Sequence, residues 1–498
     1  MRLVSLVPFA FTVWQSVRLR RALHVFQLEG YKRQRFREWA TREPRRALLL
    51  PPLPGKKPLV MTGRAWRIYV VALVLSAFFA SLPLLPGIGS VTGRRDVLAW
   101  IVATLFGIWV AIAAPSLLRA ADWVLTPVQT SINGRFLRSA AARLKEISPV
   151  VVGVTGSFGK TSTKFAVEQL LGPEVALATP GSFNTPLGVC RTINERMEPA
   201  HEYFVVEMGA YGVGEIAELC RFVSPTIGVL TAVGPAHLER FGSMDAIRRA
   251  KYELIESLPA DGLAVMNVDD PIVRELADAT THVQVFRYGL DPDAYPDVTA
   301  SDFEITPSGT SMTIVFRQRD VSLPVRTRLL GRHAVGHILA AVGVAKFVGL
   351  QMHELKGAIE AMEPVAHRLQ LIQGEGGVTV IDDAYNSNPS GADAALEVLA
   401  AMPGRRKVVV TPGMIELGPL QFEANQRLGE RAAAVADTIV VVAPVNRAAI
   451  TRGAQDAGGS QKLVVVDSLA EATDELQRIL GPGDVVLFEN DLPDHFER

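Results

Sequence analysis

The pattern of apolar and polar positions divides the chain into three stretches. Near the start, Leu3 to Trp14 form a short apolar run behind Arg2, read as an interfacial or re-entrant helix because it is too short to span a bilayer. Two longer runs follow, at about 68–85 and 97–118, each uncharged and near the ~20 residues that a bilayer core requires, so two transmembrane helices are expected. From Pro149 the pattern changes to short β-rich runs, VVVGVTG, YFVVEMG, TIGVLTAV and GLAVMNVD, each followed by a helical period. Repeated β-then-α units predict a parallel, doubly wound sheet. A turn-rich, strand-like patch spans about Asp297 to Leu330, and a helix is expected from about His333 to Val348. A second series begins near Leu369 with VTVIDD, KVVVTPG, TIVVVAP, KLVVVD and DVVLFEN, predicting a separate C-terminal α/β domain. The expected division is 1–148, 149–364 and 365–498.

Composition supports a membrane segment: the 498 residues are 48% hydrophobic and 20% charged, and the mean hydropathy is +0.21. Two cysteines, Cys190 and Cys220, support neither a disulfide framework nor a thiolate zinc site. The formal charge of +0 hides an asymmetry, because Arg18 to Arg67 holds 14 Lys and Arg against 3 Glu. That arm mixes its cations with Phe26, Tyr31, Phe36 and Trp39, as expected of a segment lying on anionic lipid headgroups. Nucleic acid is the competing partner, and the position beside an apolar span favours lipid. Lys and Arg flank the pair of runs more heavily than the loop between them, which carries Arg94 and Arg95, so both flanks are expected on the cytoplasmic side.

The strongest chemical signal is Gly153-Val-Thr-Gly156-Ser157-Phe-Gly159-Lys160-Thr161-Ser162, ending the first β run and opening a helix. Glycines there let backbone N–H groups wrap phosphate oxygens, Lys160 reaches the outer phosphates, and Thr161 offers a hydroxyl to Mg²⁺. Val154 stands where the strict P-loop has glycine, so the motif is a variant. Glu207 ends a second buried run beside this loop, where a carboxylate can hold the metal.

The variant GVTGSFGKTSTK resembles the P-loop of the Mur ligases, ATP-dependent amide-forming enzymes of peptidoglycan precursor synthesis. Later segments agree in order: VVEMGAYGVGEIAEL (Val205 to Leu219), AHLERFGSMDAIRRAKYE (Ala236 to Glu253), LLGRH (Leu329 to His333), HRL (His367 to Leu369), DDAYNSNP (Asp382 to Pro389) and GMIELG (Gly413 to Gly418). The resemblance covers about 149 to 488 and is greatest to the members that add D-alanyl-D-alanine. It implies a central P-loop domain, a Rossmann-like C-terminal domain, ATP and two Mg²⁺ ions as cofactors, and a cell-wall peptide precursor as partner. It further implies that His237 helps bind a second magnesium and that Lys251, by composition an ordinary surface lysine, carries a CO₂-derived carbamate that ligates metal. Asn184 matches a residue near the nucleotide and phosphates, with turn formation as the lesser alternative. Arg368 and Asp383 match positions that contact nucleotide phosphate and ribose, although Asp382 with Asp383 could simply close a strand.

The departures from the family matter. Ala334 and His337 stand where the family usually has asparagines, so His337 is expected to substitute in adenine recognition. Glu489-Asn490-Asp491 replaces a Lys-Gly-Ser ending. No counterpart of the family's N-terminal uridine diphosphate-binding domain is evident, which points to a precursor that is membrane-associated or lipid-linked, handled at the bacterial inner membrane with the catalytic domains cytoplasmic. Another ligase of the superfamily acting on a different polymer, a non-catalytic nucleotide-binding regulator and a transporter ATPase are the rival readings.

Overall fold

The computed structural model describes residues 2–50, 58–81, 105–110, 112–317, 321–385 and 387–491. They form two compact units, Met1–Arg135 and Phe136–Arg498.

The first unit is helical: α1 (Arg2–Leu28), α2 (Arg33–Arg42), α3 (Pro44–Leu49), α4 (Gly63–Ser81) and the start of α5 (Ala114–Ile147). The apolar run Leu3–Trp14 is not a separate element, because α1 continues through the basic segment for 27 residues. Nor do the arm's large aromatics all face outward. Phe26 and Phe36 are fully buried with Leu19, Leu23, Ile68 and Leu118, their rings 4.9 Å apart, and Phe36 stacks on Trp39 at 5.4 Å. Packing these rings against one another and against aliphatic side chains removes apolar surface from water. Asp122 accepts from Arg64 at 3.0 Å and pairs with Arg33 at 3.4 Å, tying α2, α4 and α5 together.

Among the described residues one helix is long and apolar enough to cross a membrane, with an 18-residue window Gly63–Ala80 of mean hydropathy 1.4 that is only 22% buried. Residues 82–85 of the first expected span, and 97–104 and 111 of the second, lie outside the described residues. Trp66, Val70, Val74 and Phe78 are exposed at successive four-residue steps of α4, one apolar stripe along a helix face.

The second unit carries two sheets. The larger has the order β2-β3-β1-β4-β5-β6-β7-β8-β9, with β1 (Val150–Thr155), β2 (Ala176–Ala178), β3 (Tyr203–Glu207), β4 (Ile227–Leu230), β5 (Leu263–Asn267) and β6 (Gln284–Tyr288) parallel. The strand-like patch becomes an antiparallel meander of β7 (Val298–Thr306), β8 (Gly309–Phe316) and β9 (Val321–Thr327). Apolar side chains cover both faces, as a parallel sheet demands. On one face lie α6 (Lys160–Leu171) and α7 (Gly331–Phe347). The end of α5 packs on the other through Leu137, Ala140, Leu144 and Ile147. The second sheet is built from β10 (Gln370–Gln373), β11 (Thr379–Asp383), β12 (Lys407–Thr411), β13 (Thr438–Val442), β14 (Leu463–Val466) and β15 (Val485–Glu489) in the order β10-β11-β15-β12-β13-β14, with β10 an antiparallel edge strand beside β11. Strand β15 (Val485–Glu489) sits centrally, so Asp383 and Glu489 are register partners. Strand order turns around β1, and ligands of such sheets bind beyond the carboxyl ends at that switch.

Candidate active site

The loop Gly156–Gly159 leaves β1 at this switch and is pinned to the end of β4. Thr231 Oγ1 lies between the Thr155 and Phe158 carbonyls. Ser157 N donates to Ala232 O at 2.7 Å, and Ser157 Oγ donates to Gly234 O at 2.9 Å. Gly156 (φ 150°) would place a Cβ 2.0 Å from Thr231 Oγ1, and Gly159 (φ 77°) one 2.9 Å from His337 Cε1. Only glycine fits either position. Lys160 opens α6 and folds back, its Nζ donating to Gly156 O at 2.7 Å and Ser157 O at 3.1 Å. Burial lowers its pKa, opposed by Glu207.

Glu207 is the hub of the site. Its carboxylate accepts from Thr161 Oγ1 at 2.9 Å, Lys164 Nζ at 3.2 Å and Asn184 Nδ2 at 3.1 Å. The structure therefore brings Thr161, Glu207 and Asn184 together, and adds Lys164, which is fully buried. Lys164 sits one turn after Lys160 in the same motif, so helical spacing was the signal that would have found it. Lys251 is 3% exposed, with its ammonium 5.8 Å from the Phe241 ring. Burial first, then Lys160, lowers its pKa to about 7. It is not the solvated lysine that its composition suggested.

His237 (φ 56°) is bonded elsewhere: its Nδ1 pairs with Glu416, which also pairs with Arg240, and its ring meets Tyr211 edge-on at 5.0 Å. Among the described residues no three His, Cys, Asp or Glu side chains form a metal-holding group. The donor set present, a threonine hydroxyl against a carboxylate, is hard oxygen and fits Mg²⁺ at Thr161 and Glu207.

Across from the loop, Phe158, Gly159, Ser162, His337, Arg368 and Asp383 line a cleft of about 110 Å³. Typical small-molecule sites hold ~300–1,000 Å³, so the cleft as it stands is tight. Arg368 Nε is buried without a partner, and its guanidinium lies over the Tyr385 ring at 4.3 Å, an orphaned donor that suits a phosphate. His337 Nδ1 is 2.9 Å from Thr163 Oγ1, and burial depresses its pKa to about 3, which keeps the ring neutral. Asp383 Oδ1 accepts from Leu369 N at 3.2 Å. Burial raises the Asp383 pKa to about 6, against the pull of Arg368, and raises that of Glu489 well above the usual range. Glu489 is fully buried; its Oε1 accepts from Ser387 Oγ at 2.5 Å, its Oε2 is buried without a hydrogen-bond partner, and it stands in register with Asp383.

Two family models match this chain: the Mur ligase middle domain over residues 154–345, and the Mur ligase glutamate ligase domain over 367–489. The UDP-N-acetylmuramoyl-tripeptide–D-alanyl-D-alanine ligase of Mycobacterium bovis is 35% identical over 373 residues, 70% of this chain and 72% of the relative. This chain belongs to the Mur ligase family. The Escherichia coli ligase of the same name is 34% identical over 58% of this chain and 63% of its own length. Among solved structures, MurF from Thermotoga maritima in complex with ADP superposes with a TM-score of 0.64 at 28% identity, covering 72% of this chain and 80% of that one. MurF from Acinetobacter baumannii gives 0.63 at 29% identity, covering 72% and 77%. This Mur ligase is thus an ATP-dependent ligase, and residues 156–162, Glu207, His337, Arg368 and Asp383 fall within the matched residues.

Proposed function

We propose that this Mur ligase joins D-alanyl-D-alanine to a muramoyl tripeptide precursor. The substrate pair is supported by the 35% identity, over 70% of this chain, to a UDP-N-acetylmuramoyl-tripeptide–D-alanyl-D-alanine ligase, and the phosphoryl-transfer chemistry by the single carboxylate, Glu207, that links the P-loop threonine to Asn184 and Lys164. In the first step a substrate carboxylate oxygen attacks the γ-phosphorus of ATP, the bond to the β-phosphate oxygen breaks, and ADP leaves. In the second the amine of the dipeptide attacks the acyl carbon through a tetrahedral intermediate, and phosphate leaves. Gly156, Ser157, Gly159, Ser162 and the start of α6 cradle phosphates, and Lys160 swings from the loop carbonyls to neutralise the transferring group. Arg368 binds phosphate, and Asp383 and His337 face ribose and base. Magnesium bound by Thr161 and Glu207 would offset phosphate charge. The near-neutral pKa of Lys251 leaves an amine that CO₂ can carbamylate, which would add a ligand there, and His237, once released from Glu416, is the proposed further ligand. Closure of the C-terminal domain keeps water from the acyl phosphate.

The same reading places the first unit in the bacterial inner membrane, with α4 and the 97–118 segment as spans, the catalytic unit cytoplasmic and a lipid-linked precursor as acceptor. The exposed apolar stripe of α4 supports it. Phosphate release by detergent-purified protein, offered ATP, Mg²⁺, D-alanyl-D-alanine and either UDP-linked or lipid-linked muramoyl tripeptide, tests it. Release requiring both acceptor and dipeptide, and absent in Lys160→Ala, is expected. Release with another amine but not the dipeptide would move the chain to a different substrate within the family.

A further inference from the structure

The first unit contains a basic pocket that the ligase reaction does not use. Four arginines line it, Arg33, Arg37 and Arg42 from α2 and Arg119 from α5, with Gln34, Thr41 and one carboxylate, Glu38, and it holds about 680 Å³. Arg33 is balanced by Asp122. Among the described residues Arg37, Arg42 and Arg119 have no ion-pair partner, and Arg119 Nε is buried without a hydrogen-bond acceptor. Glu38 is engaged by Gln34 Nε2 at 3.0 Å. Unbalanced guanidiniums gathered in one concavity repel each other, and an anion relieves that repulsion.

The pocket's position selects the anion. Asp122, one turn after Arg119, bonds Arg64 at the first turn of α4, so the pocket lies at the end of α4 where the apolar stripe begins. Trp66 and Trp123, 52% and 67% exposed, stand at that same level, the placement that tryptophan takes at a membrane interface. Apolar helix on one side and arginines at its end match acyl chain and headgroup phosphate. We propose that Arg33, Arg37, Arg42 and Arg119 hold the phosphate of a membrane lipid headgroup. This rests on the membrane placement above and adds to it a defined site.

The test is flotation of the full chain, purified in detergent, with vesicles of phosphatidylcholine alone or of phosphatidylcholine with phosphatidylglycerol. The native chain is expected to float with both and to prefer the anionic vesicles. Each arginine at an anionic surface contributes about fivefold in partition, so Arg37→Gln/Arg42→Gln/Arg119→Gln should erase about a hundredfold of that preference. Arg20→Gln/Arg45→Gln/Arg135→Gln removes equal charge outside the pocket and should cost far less. Unchanged phosphate release by both variants reports that they are folded. Equal losses in the two variants, or an unaltered preference in the first, overturn the pocket while leaving the membrane placement intact. Displacement of the native chain's anionic preference by inorganic phosphate at constant ionic strength would show a site for free phosphate, and overturns the lipid assignment. Failure to float with either vesicle overturns both readings.

Discussion

Glu207 satisfies three donors at once, and two of them are themselves buried. Removing it strands the Lys164 ammonium, so Glu207→Ala should cost about 3–5 kcal/mol in a denaturant titration. Adding Lys164→Met to that variant should recover much of the stability, while ligase activity stays lost because the hydroxyl of Thr161 has no carboxylate beside it. A Glu207→Ala protein as stable as the native chain would refute the pairing. The Asp383 and Glu489 carboxyls behave oppositely to a salt-bridged acid, since both are held protonated to higher pH in the folded state. Their stabilising contribution is complete below the unfolded carboxylate range and is lost as pH rises through about 6, where Asp383 titrates. Glu489→Gln, which keeps the shape without the charge, should therefore raise Tm near neutral pH and change it little near pH ~4. Lys251 is the third residue-scale case. Its amine becomes neutral as pH rises through about 7, whereas an arginine there stays charged. Activity should depend on dissolved CO₂ in the native chain, and Lys251→Arg should lose both the activity and that dependence.

At the scale of elements, the P-loop is a turn with no room. A Cβ at Gly156 would overlap Thr231 Oγ1, so Gly156→Ala must detach the loop from β4. Nucleotide binding measured by calorimetry should then vanish, with a drop in Tm of several degrees for the ~1–3 kcal/mol of strain. Retained ADP binding would mean that the loop adapts in a way its φ of 150° does not suggest. Helix α4 presents the contrasting case of an element whose apolar stripe is left exposed. A charge at the middle of a spanning helix costs ~2.5–3.5 kcal/mol, so Val74→Arg should shift the chain from carbonate-washed membranes to the soluble or aggregated fraction. Identical fractionation of the two proteins would argue against a span at α4.

For the whole molecule, Glu416 of the C-terminal ligase domain pairs with both His237 and Arg240 of the central one. Much of the P-loop side was legible in the chain, because a phosphate cradle is a local motif whose glycines and lysine are adjacent in sequence. The alternation of β runs with helical periods likewise announced two α/β domains, since strand and helix periods are properties of ten or so neighbouring residues. Short edge strands such as β2 and β10 were not announced, having too few residues to show a period. The burial of Phe26 and Phe36 within the first unit was not legible, because an arginine-rich segment with aromatics has one composition whether its rings stack on each other or on lipid. What the tertiary structure decided is which distant residues meet. Placing β1 between β3 and β4 sets Glu207 and Thr231 on either side of the P-loop, and placing β15 beside β11 buries Glu489 against Asp383. His237 meets Glu416 across 179 positions. Local propensity carries no record of strand order, which follows from how the whole set of apolar faces is buried.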